Sequence, residues 1–371
     1  MSVGIVLHSG GPTPVINASL LGVVEEARRH PRITQLLGAR FGIDGILKQD
    51  FVDLFAVGAI PHTPSSALGT SRRHVDEETL AAILKVLRSH AVEYLFIIGG
   101  NGSMGAAARI AESSGVRVIG IPKTIDNDLT HTDHTPGYAT AARFFACAAR
   151  DIAADNRALP GQVEFIEVLG RNTGWLVAAT ALARRDPDDA PHLIYFPEIR
   201  LPLEQLLDDV DRVYRRLGRC VVAVCEGQLD ESGQPFAADA RPSSGRPLAM
   251  NLAHRLAMLV TENLNLRARS EKPGLLARSG AAYFSQLDWD EARLVGEAAV
   301  RTSESGVMIT LERNPGSLYS VRCGTVPLAA VASAERPFPA EWRNSAGNDV
   351  TSAFIDYAEP LLGVIERYQF L

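Results

Sequence analysis

The chain has 371 residues, 46% of them hydrophobic and 22% charged, which describes an ordinary soluble globular protein. That length exceeds what one core usually supports, so two domains are expected. A net charge of −6 with no basic run argues against nucleic acid and anionic membrane as partners, while local arginines still allow a polyanionic small substrate.

Residues 3–7 predict a strand, followed by Ser9-Gly10-Gly11-Pro12-Thr13-Pro14 and a helix over 14–29. Pro14 suits a first helical turn and Pro31 ends the helix. Asp76 is placed to cap a helix that has Leu80, Ile83, Leu84 and Leu87 on one face. Residues 94–98 predict a buried strand, and Gly99-Gly100-Asn101-Gly102-Ser103 leads from it into a helix reaching Gly115. The next strand, 116–121, delivers Pro122-Lys123-Thr124-Ile125-Asp126-Asn127-Asp128.

The second half repeats the style. A strand is expected over 163–169 and a helix over 174–184. Leu206, Val210, Val213 and Leu217 line a further helix stopped by Gly218, and 219–225 is another strand. Residues 232–247, rich in Pro and Ser, are expected as a surface excursion, and 311–339 as an appendage of turns and short strands. Continuous apolar strands alternating with helices mean an α/β fold with parallel sheets covered on both faces. Two such units in tandem predict two doubly wound Rossmann-like lobes with a cleft between them, ligands binding beyond the carboxyl ends of the strands.

Cys147, Cys220, Cys225 and Cys323 are too few and scattered for a disulfide framework, and lack the tight pairing of a zinc knuckle. Reduced buried thiols are expected. No charged leader precedes the strand at Val3 and no window approaches a membrane span, so a soluble, cytoplasmic protein is expected.

Asp126 and Asp128, two residues apart after a buried strand, can aim both acids into one site. One could take a proton from an alcohol while the other organises a metal ion, and Lys123 beside them needs an anion. Phosphoryl transfer to a hydroxyl is the chemistry this loop suggests. Two Gly-rich strand-to-helix turns support it, because glycines let backbone N–H groups approach an oxyanion at a helix N-terminus. Either turn alone is equally a tight turn with no ligand. Gly100-Asn101-Gly102-Ser103-Met104-Gly105 also satisfies the dinucleotide fingerprint, with Asp126 about 20 residues onward. Against a dehydrogenase, Asp126 stands past Pro122 and Lys123 rather than at the strand end. No Walker A sequence is present. His131, Asp133 and His134 could suggest a metal cluster, but no further ligand beside them is evident.

At this point the residues resemble a known family. The Ser-Gly-Gly turn with Val15-Ile16-Asn17, Gly69-Thr70-Ser71-Arg72, Gly99 to Ser103, Pro122 to Asp128, Leu169-Gly170-Arg171, Glu226-Gly227 and Leu275-Leu276-Ala277-Arg278-Ser279 look like the phosphofructokinase series, in its order and spacing. Gly10-Gly11-Pro12-Thr13, Arg171-Asn172-Thr173-Gly174-Trp175 and Asp288 to Val300 look closest to the pyrophosphate-dependent branch. The resemblance implies the phosphofructokinase fold, with 1–140 plus about 276–330 binding the phosphoryl donor. Residues 141–275 plus about 331–371 would bind the sugar phosphate. It implies transfer from pyrophosphate to the 1-hydroxyl of fructose 6-phosphate, with Mg2+, in a cytoplasmic homodimer or homotetramer.

Roles follow as the resemblance implies. Asp126 would be the general base, Thr124 would hold the substrate, Asp128 would support the magnesium site and Arg171 would stabilise the transferring group. Gly11, Arg72, Asn101, Gly102, Ser103 and Lys123 would bind the donor, with Asn101 next to the metal. Thr124, Ile125, Asp126, Leu169, Gly170, Arg171, Glu226, Arg269, Leu275 and Arg278 would bind the sugar phosphate.

Four positions depart from the family pattern. Lys123 is what pyrophosphate users carry where many ATP users have glycine, but that branch usually has aspartate where this chain has Gly102, which keeps ATP open as donor. Asn101 replaces the aspartate of ATP-type relatives. Gln162 stands where an arginine commonly reaches a neighbouring subunit's substrate, and Leu275 where histidine or tyrosine touches the sugar phosphate. These two leave open a larger sugar such as sedoheptulose 7-phosphate, or a catalytically silent regulatory subunit. A nicotinamide-nucleotide or lipid kinase shares a Gly-Gly turn but accounts for neither the lysine-bearing acid loop nor the Arg171 motif.

Overall fold

The computed structural model describes residues 2–60, 63–236, 251–316, 318–332 and 334–369. The chain divides into two compact units: Met1–Ala139 with Arg278–Arg336, and Thr140–Ala277 with Pro337–Leu371.

In chain order the first unit opens with β1 (Ser2–His8), α1 (Ile16–Arg29), β2 (Ile33–Ala39), α2 (Ile43–Lys48) and β3 (Phe51–Asp53). It continues with α3 (Glu77–Ser89), β4 (Val92–Gly99), α4 (Asn101–Ser113) and β5 (Arg117–Pro122). Asp76 caps α3, its carboxylate accepting from Thr79 N at 2.8 Å. α5 (Tyr138–Ala158) leads into the second unit, which holds β6 (Val163–Val168), α6 (Trp175–Ala179), β7 (Leu193–Tyr195), α7 (Leu203–Leu217), β8 (Cys220–Cys225), α8 (Leu252–Leu264) and β9 (Ala268–Glu271). The chain then returns to the first unit for α9 (Gln286–Arg301), β10 (Val307–Arg313), β11 (Val321–Pro327) and α10 (Leu328–Val331). α11 (Ser352–Leu362) belongs to the second unit.

The first unit is built on a seven-stranded sheet ordered β11-β10-β5-β4-β1-β2-β3. Its five central strands are parallel, and the edge strands β11 and β3 run antiparallel to their neighbours. Both faces are covered, as the unbroken apolar strands require. Ile5, Leu7, Leu95 and Ile97 pack with Ile83 of α3 and Met104 of α4 on one face. Val6, Phe96 and Ile98 pack with Leu20 of α1 and Val295 of α9 on the other. α1 and α9 touch through glycines: a Cβ on Gly22 would overlap the Arg293 carbonyl, and one on Gly296 the Ser19 carbonyl. Fully buried Phe96 illustrates the energy involved, since its truncation to alanine would cost about 3–5 kcal/mol.

The second unit carries an all-parallel sheet ordered β7-β8-β6-β9. Val163 and Phe165 of β6 pack with Val210 of α7 and Leu256 of α8, while the alternate residues Ile166 and Val168 are equally buried on the opposite face. Gly218 ends α7 in the left-handed region at φ 67°.

Three expectations need correction. Residues 311–339 are no appendage, because β10 pairs with β5 and β11 extends the main sheet beyond it. The first helix starts at Ile16 rather than Pro14. The helix expected over 174–184 is α6 followed by a 3-10 turn, Thr180–Ala183. Most of the expected excursion at 232–247 lies outside the described residues. Among the described residues no helix is long and apolar enough to cross a membrane.

Candidate active site

The first unit's site is built on the carboxyl ends of β1, β4 and β5, joined by Arg72 and Arg278 from other segments. After β1 the chain turns through Gly10, whose φ of 81° suits glycine. Gly10 N donates to Ser71 O at 3.0 Å and Thr70 Oγ1 donates to Gly10 O at 2.7 Å, which ties this turn to the segment carrying Arg72.

Cations converge on the next residue. Lys123 Nζ donates to Gly11 O at 2.6 Å, and a Cβ on Gly11 would lie 3.0 Å from Arg278 Nη1 and 3.7 Å from Arg72 Nη2. Lys123 is only 3% exposed. Burial lowers its pKa to about 8; Asp126 and Asp128 oppose that shift, and the Arg278 and Arg72 guanidiniums add to it. Three cations around one glycine amide make a ready cradle for a polyanion.

The acid loop follows directly. Lys123 N donates to Gly99 O at 3.0 Å, holding the loop against the start of α4, and Asp126 N donates to Thr124 Oγ1 at 3.2 Å. Asn127 takes a left-handed conformation at φ 55°, with its Oδ1 accepting from Thr135 N at 3.1 Å. Asn101, in the first turn of α4, donates Nδ2 to Asp128 Oδ2 at 2.8 Å. Its own Oδ1 is buried with no hydrogen-bond partner. An orphaned buried amide oxygen beside a carboxylate fits a magnesium ion that keeps most of its water and leans on substrate phosphates. Among the described residues no cluster of three or more His, Cys, Asp and Glu could hold a metal unaided.

Gly102 and Ser103 lie in the first turn of α4, not in the turn before it. A Cβ on Gly102 would find nothing within 4 Å. Ser103 is 6% exposed, and a Cβ on Gly99 would overlap its hydroxyl. Ile125 is half-buried between Thr124 and Asp126.

The second unit holds another group. Leu169, Gly170 and Arg171 follow β6, with φ 138° at Gly170 and 49° at Arg171. Glu226 follows β8, its N donating to Val168 O at 2.8 Å. Burial pushes the Glu226 carboxyl up, opposed by Arg171, while Glu167 pushes it further and Lys272 opposes. A Cβ on Gly227 would overlap the Arg171 carbonyl, which explains the glycine there. Arg269 lies on β9 opposite Glu164. Leu275 is 64% exposed on the 3-10 turn Gly274–Arg278. Gln162 is 1% exposed, and neither of its side-chain polar atoms has a partner.

Several contacts around the site join residues that the sequence does not bring together. His8 ends β1 fully buried, sharing a 2.5 Å hydrogen bond with Ser66 Oγ. Burial and then the Lys123 charge hold it neutral, with a pKa of about 3. Asp288 accepts from Gly137 N at 2.8 Å. Glu291 pairs with His134 Nε2 at 2.7 Å, so this histidine sits between two carboxylates, Asp133 and Glu291. Arg336 grips the acid loop's backbone. Apart from the neighbouring Asp133 and His134, each partner lies far away in sequence, which leaves no local signal.

A family model described as phosphofructokinase matches residues 3–302. The pyrophosphate–fructose 6-phosphate 1-phosphotransferase of Rhodospirillum rubrum is 40% identical over 381 residues, covering 97% of this chain and 94% of its own length. The enzyme of the same name from Xanthomonas campestris is 35% identical over 379 residues, covering 96% and 90%. The crystal structure of a pyrophosphate-dependent phosphofructokinase from Marinobacter aquaeolei superposes with a TM-score of 0.89 at 30% identity, covering 100% of this chain and 94% of that one.

Proposed function

We propose that this chain, which belongs to the phosphofructokinase family, transfers a phosphoryl group from pyrophosphate to the 1-hydroxyl of fructose 6-phosphate. The products are fructose 1,6-bisphosphate and orthophosphate. The observation that carries this reading is Lys123, a buried ammonium bonded to Gly11 O with Arg72 and Arg278 alongside. Burial and the neighbouring guanidiniums work to strip its proton, so the arrangement calls for a compact polyanion. Pyrophosphate supplies that charge without needing a nucleoside site.

Asp126 takes the proton of the 1-hydroxyl as that oxygen forms its bond to phosphorus, and the bond to the bridging oxygen breaks to release orthophosphate. Thr124 holds the sugar, and Gly11, Arg72, Ser103 and Lys123 hold the donor. Asn101 and Asp128 would hold magnesium, which when bound neutralises charge on the diphosphate. Arg171 neutralises charge on the transferring group, a role worth roughly a thousandfold or more in phosphoryl transfer. Glu226, Arg269 and Arg278 bind the sugar phosphate, the arginines through fork-like charge-assisted bonds, with Ile125, Leu169, Gly170 and Leu275 lining it. The proposal includes a cytoplasmic, glycolytic homodimer or homotetramer.

The test is formation of fructose 1,6-bisphosphate from fructose 6-phosphate with magnesium and either pyrophosphate or ATP. Pyrophosphate should support turnover and ATP should not. A second reading, ATP as donor, is favoured by the open space at Gly102, and turnover with ATP alone would establish it. No turnover with either donor across several sugar phosphates would defeat the enzyme reading.

A further inference from the structure

We infer that Arg336 is a positioning residue for the acid loop, setting the direction of Asp126 and Asp128 without touching substrate. The inference rests on the phosphotransferase reading of that loop. Arg336 Nε and Nη2 donate to the Asn127 carbonyl at 3.2 and 2.9 Å, and Nη1 donates to the Thr132 and Asp133 carbonyls at 2.7 and 2.8 Å. Its backbone N donates to Asp128 O at 2.7 Å, and the preceding residue Glu335 bridges to Leu129. One residue therefore fastens the stretch from Asn127 to Asp133, immediately after Asp126.

The loop needs such a fastening. Asn127 and His131 both have positive φ, 55° and 62°, a conformation that costs non-glycine residues energy and persists where surroundings enforce it. Asn127 lies between the two acids, so its peptide planes set where both carboxylates point. A guanidinium is suited to the task because its donors are fixed in one plane and it stays charged at any working pH. Lysine keeps the charge but offers donors from a single nitrogen, so it cannot grip Asn127 O and the Thr132–Asp133 carbonyls in the same way. Misplacing a reacting group by about 1 Å costs about 100-fold in rate, which sets the expected size of the effect.

The experiment compares wild type, Arg336→Ala and Arg336→Lys under identical conditions, by steady-state kinetics with pyrophosphate and by hydrogen exchange of residues 126–135. Arg336→Ala should lose about 100-fold in kcat, with KM for both substrates changed by less than about threefold. Its loop amides should exchange faster while β4 and β1 stay protected. Guanidinium chloride, far below denaturing concentration and against a sodium chloride control, should restore part of the lost rate. Arg336→Lys should recover little activity despite its charge. It also carries the test if the alanine variant fails to fold. Wild-type kcat in Arg336→Lys overturns the inference, as does a loss confined to KM or unchanged loop exchange. Should wild type itself not turn over pyrophosphate, the proposed activity falls, and loop exchange in the variants still decides whether Arg336 fixes the loop.

Discussion

The acid loop of the first unit and the Arg171 segment of the second both hang charged residues from the end of a parallel strand, β5 in one case and β6 in the other. Both use left-handed backbone to do so. They are fixed differently. The Arg171 segment is a tight local turn, Thr173 N donating to Gly170 O at 2.9 Å, with Gly227 packed on the Arg171 carbonyl. The acid loop has its own local bonds at Thr124 and Asn127 but is also held by side chains from elsewhere in the chain. Arg336 binds the Asn127 carbonyl across 209 residues, and Glu291 reaches His134 across 157. A turn that closes on itself needs glycines at fixed places, whereas a loop held from outside leaves its own sequence free for chemistry.

The largest test of that division is Asp126→Ala. If the loop exists to present a base, this change should cut kcat by about 10²–10⁴, the usual worth of a general base, while sugar phosphate still binds. Loss of binding with retained kcat, followed by calorimetry and kinetics together, would remove Asp126 from that role. Next comes glycine replacement in the two regions. Gly227→Ala forces a Cβ onto the Arg171 carbonyl and should damage folding or activity severely, whereas Gly102→Ala enters open space and should leave thermal stability almost unchanged. Equal tolerance at both sites would mean the Arg171 turn is looser than its geometry implies.

Legibility followed the same division. β1, α1, α3, β4, α4, β5, β6, α7 and β8 are written in local periodicity, and the Gly-rich turns and the acid loop in their residue types, whereas β2, β3, β7, β9, α8, α9 and α11 go unread. α5 escaped because its first turns, from Tyr138 to Ala146, are buried apart from half-buried Arg143, so its charged positions resume only at Arg150. β10 and β11, seven residues each, read only as parts of an appendage because Pro315 and Gly316 fall between them and their place comes from β10 pairing with β5 and β11 with β10. The convergence of Arg278 and Lys123 on Gly11 is likewise a product of the fold and not of spacing.

A smaller effect separates the cation cradle from the acid loop by pH. Lys123 has a pKa lowered to about 8, so the free enzyme loses this charge as the pH rises past that value. The pH profile of kcat/KM for pyrophosphate reports the free enzyme, and should fall by up to about tenfold per unit above pH 8. Lys123→Arg, charged throughout, should remove that limb. A flat wild-type profile through pH 9 would mean that the lysine proton does not govern donor capture.

The smallest effect concerns how the acid loop is anchored. His134 is fully buried, with Nδ1 2.9 Å from Asp133 Oδ1 and Nε2 2.7 Å from Glu291 Oε2. Arg313 also faces Asp133, at 3.1 Å, and Tyr319 OH donates to Glu291 at 2.6 Å. Burial alone would lower the histidine's pKa, but the two carboxylates raise it to about 9. A base whose folded pKa exceeds its unfolded value contributes stability that is complete below about 6.5 and disappears as the pH climbs through about 9. Thermal stability should therefore decline over that window, by about 2–4 °C for each kcal/mol lost. Glu291→Gln removes one of the two charges that hold the proton, so its decline should begin at lower pH. If the variant and wild type lose stability in parallel, the imidazolium is not what ties the acid loop to α9.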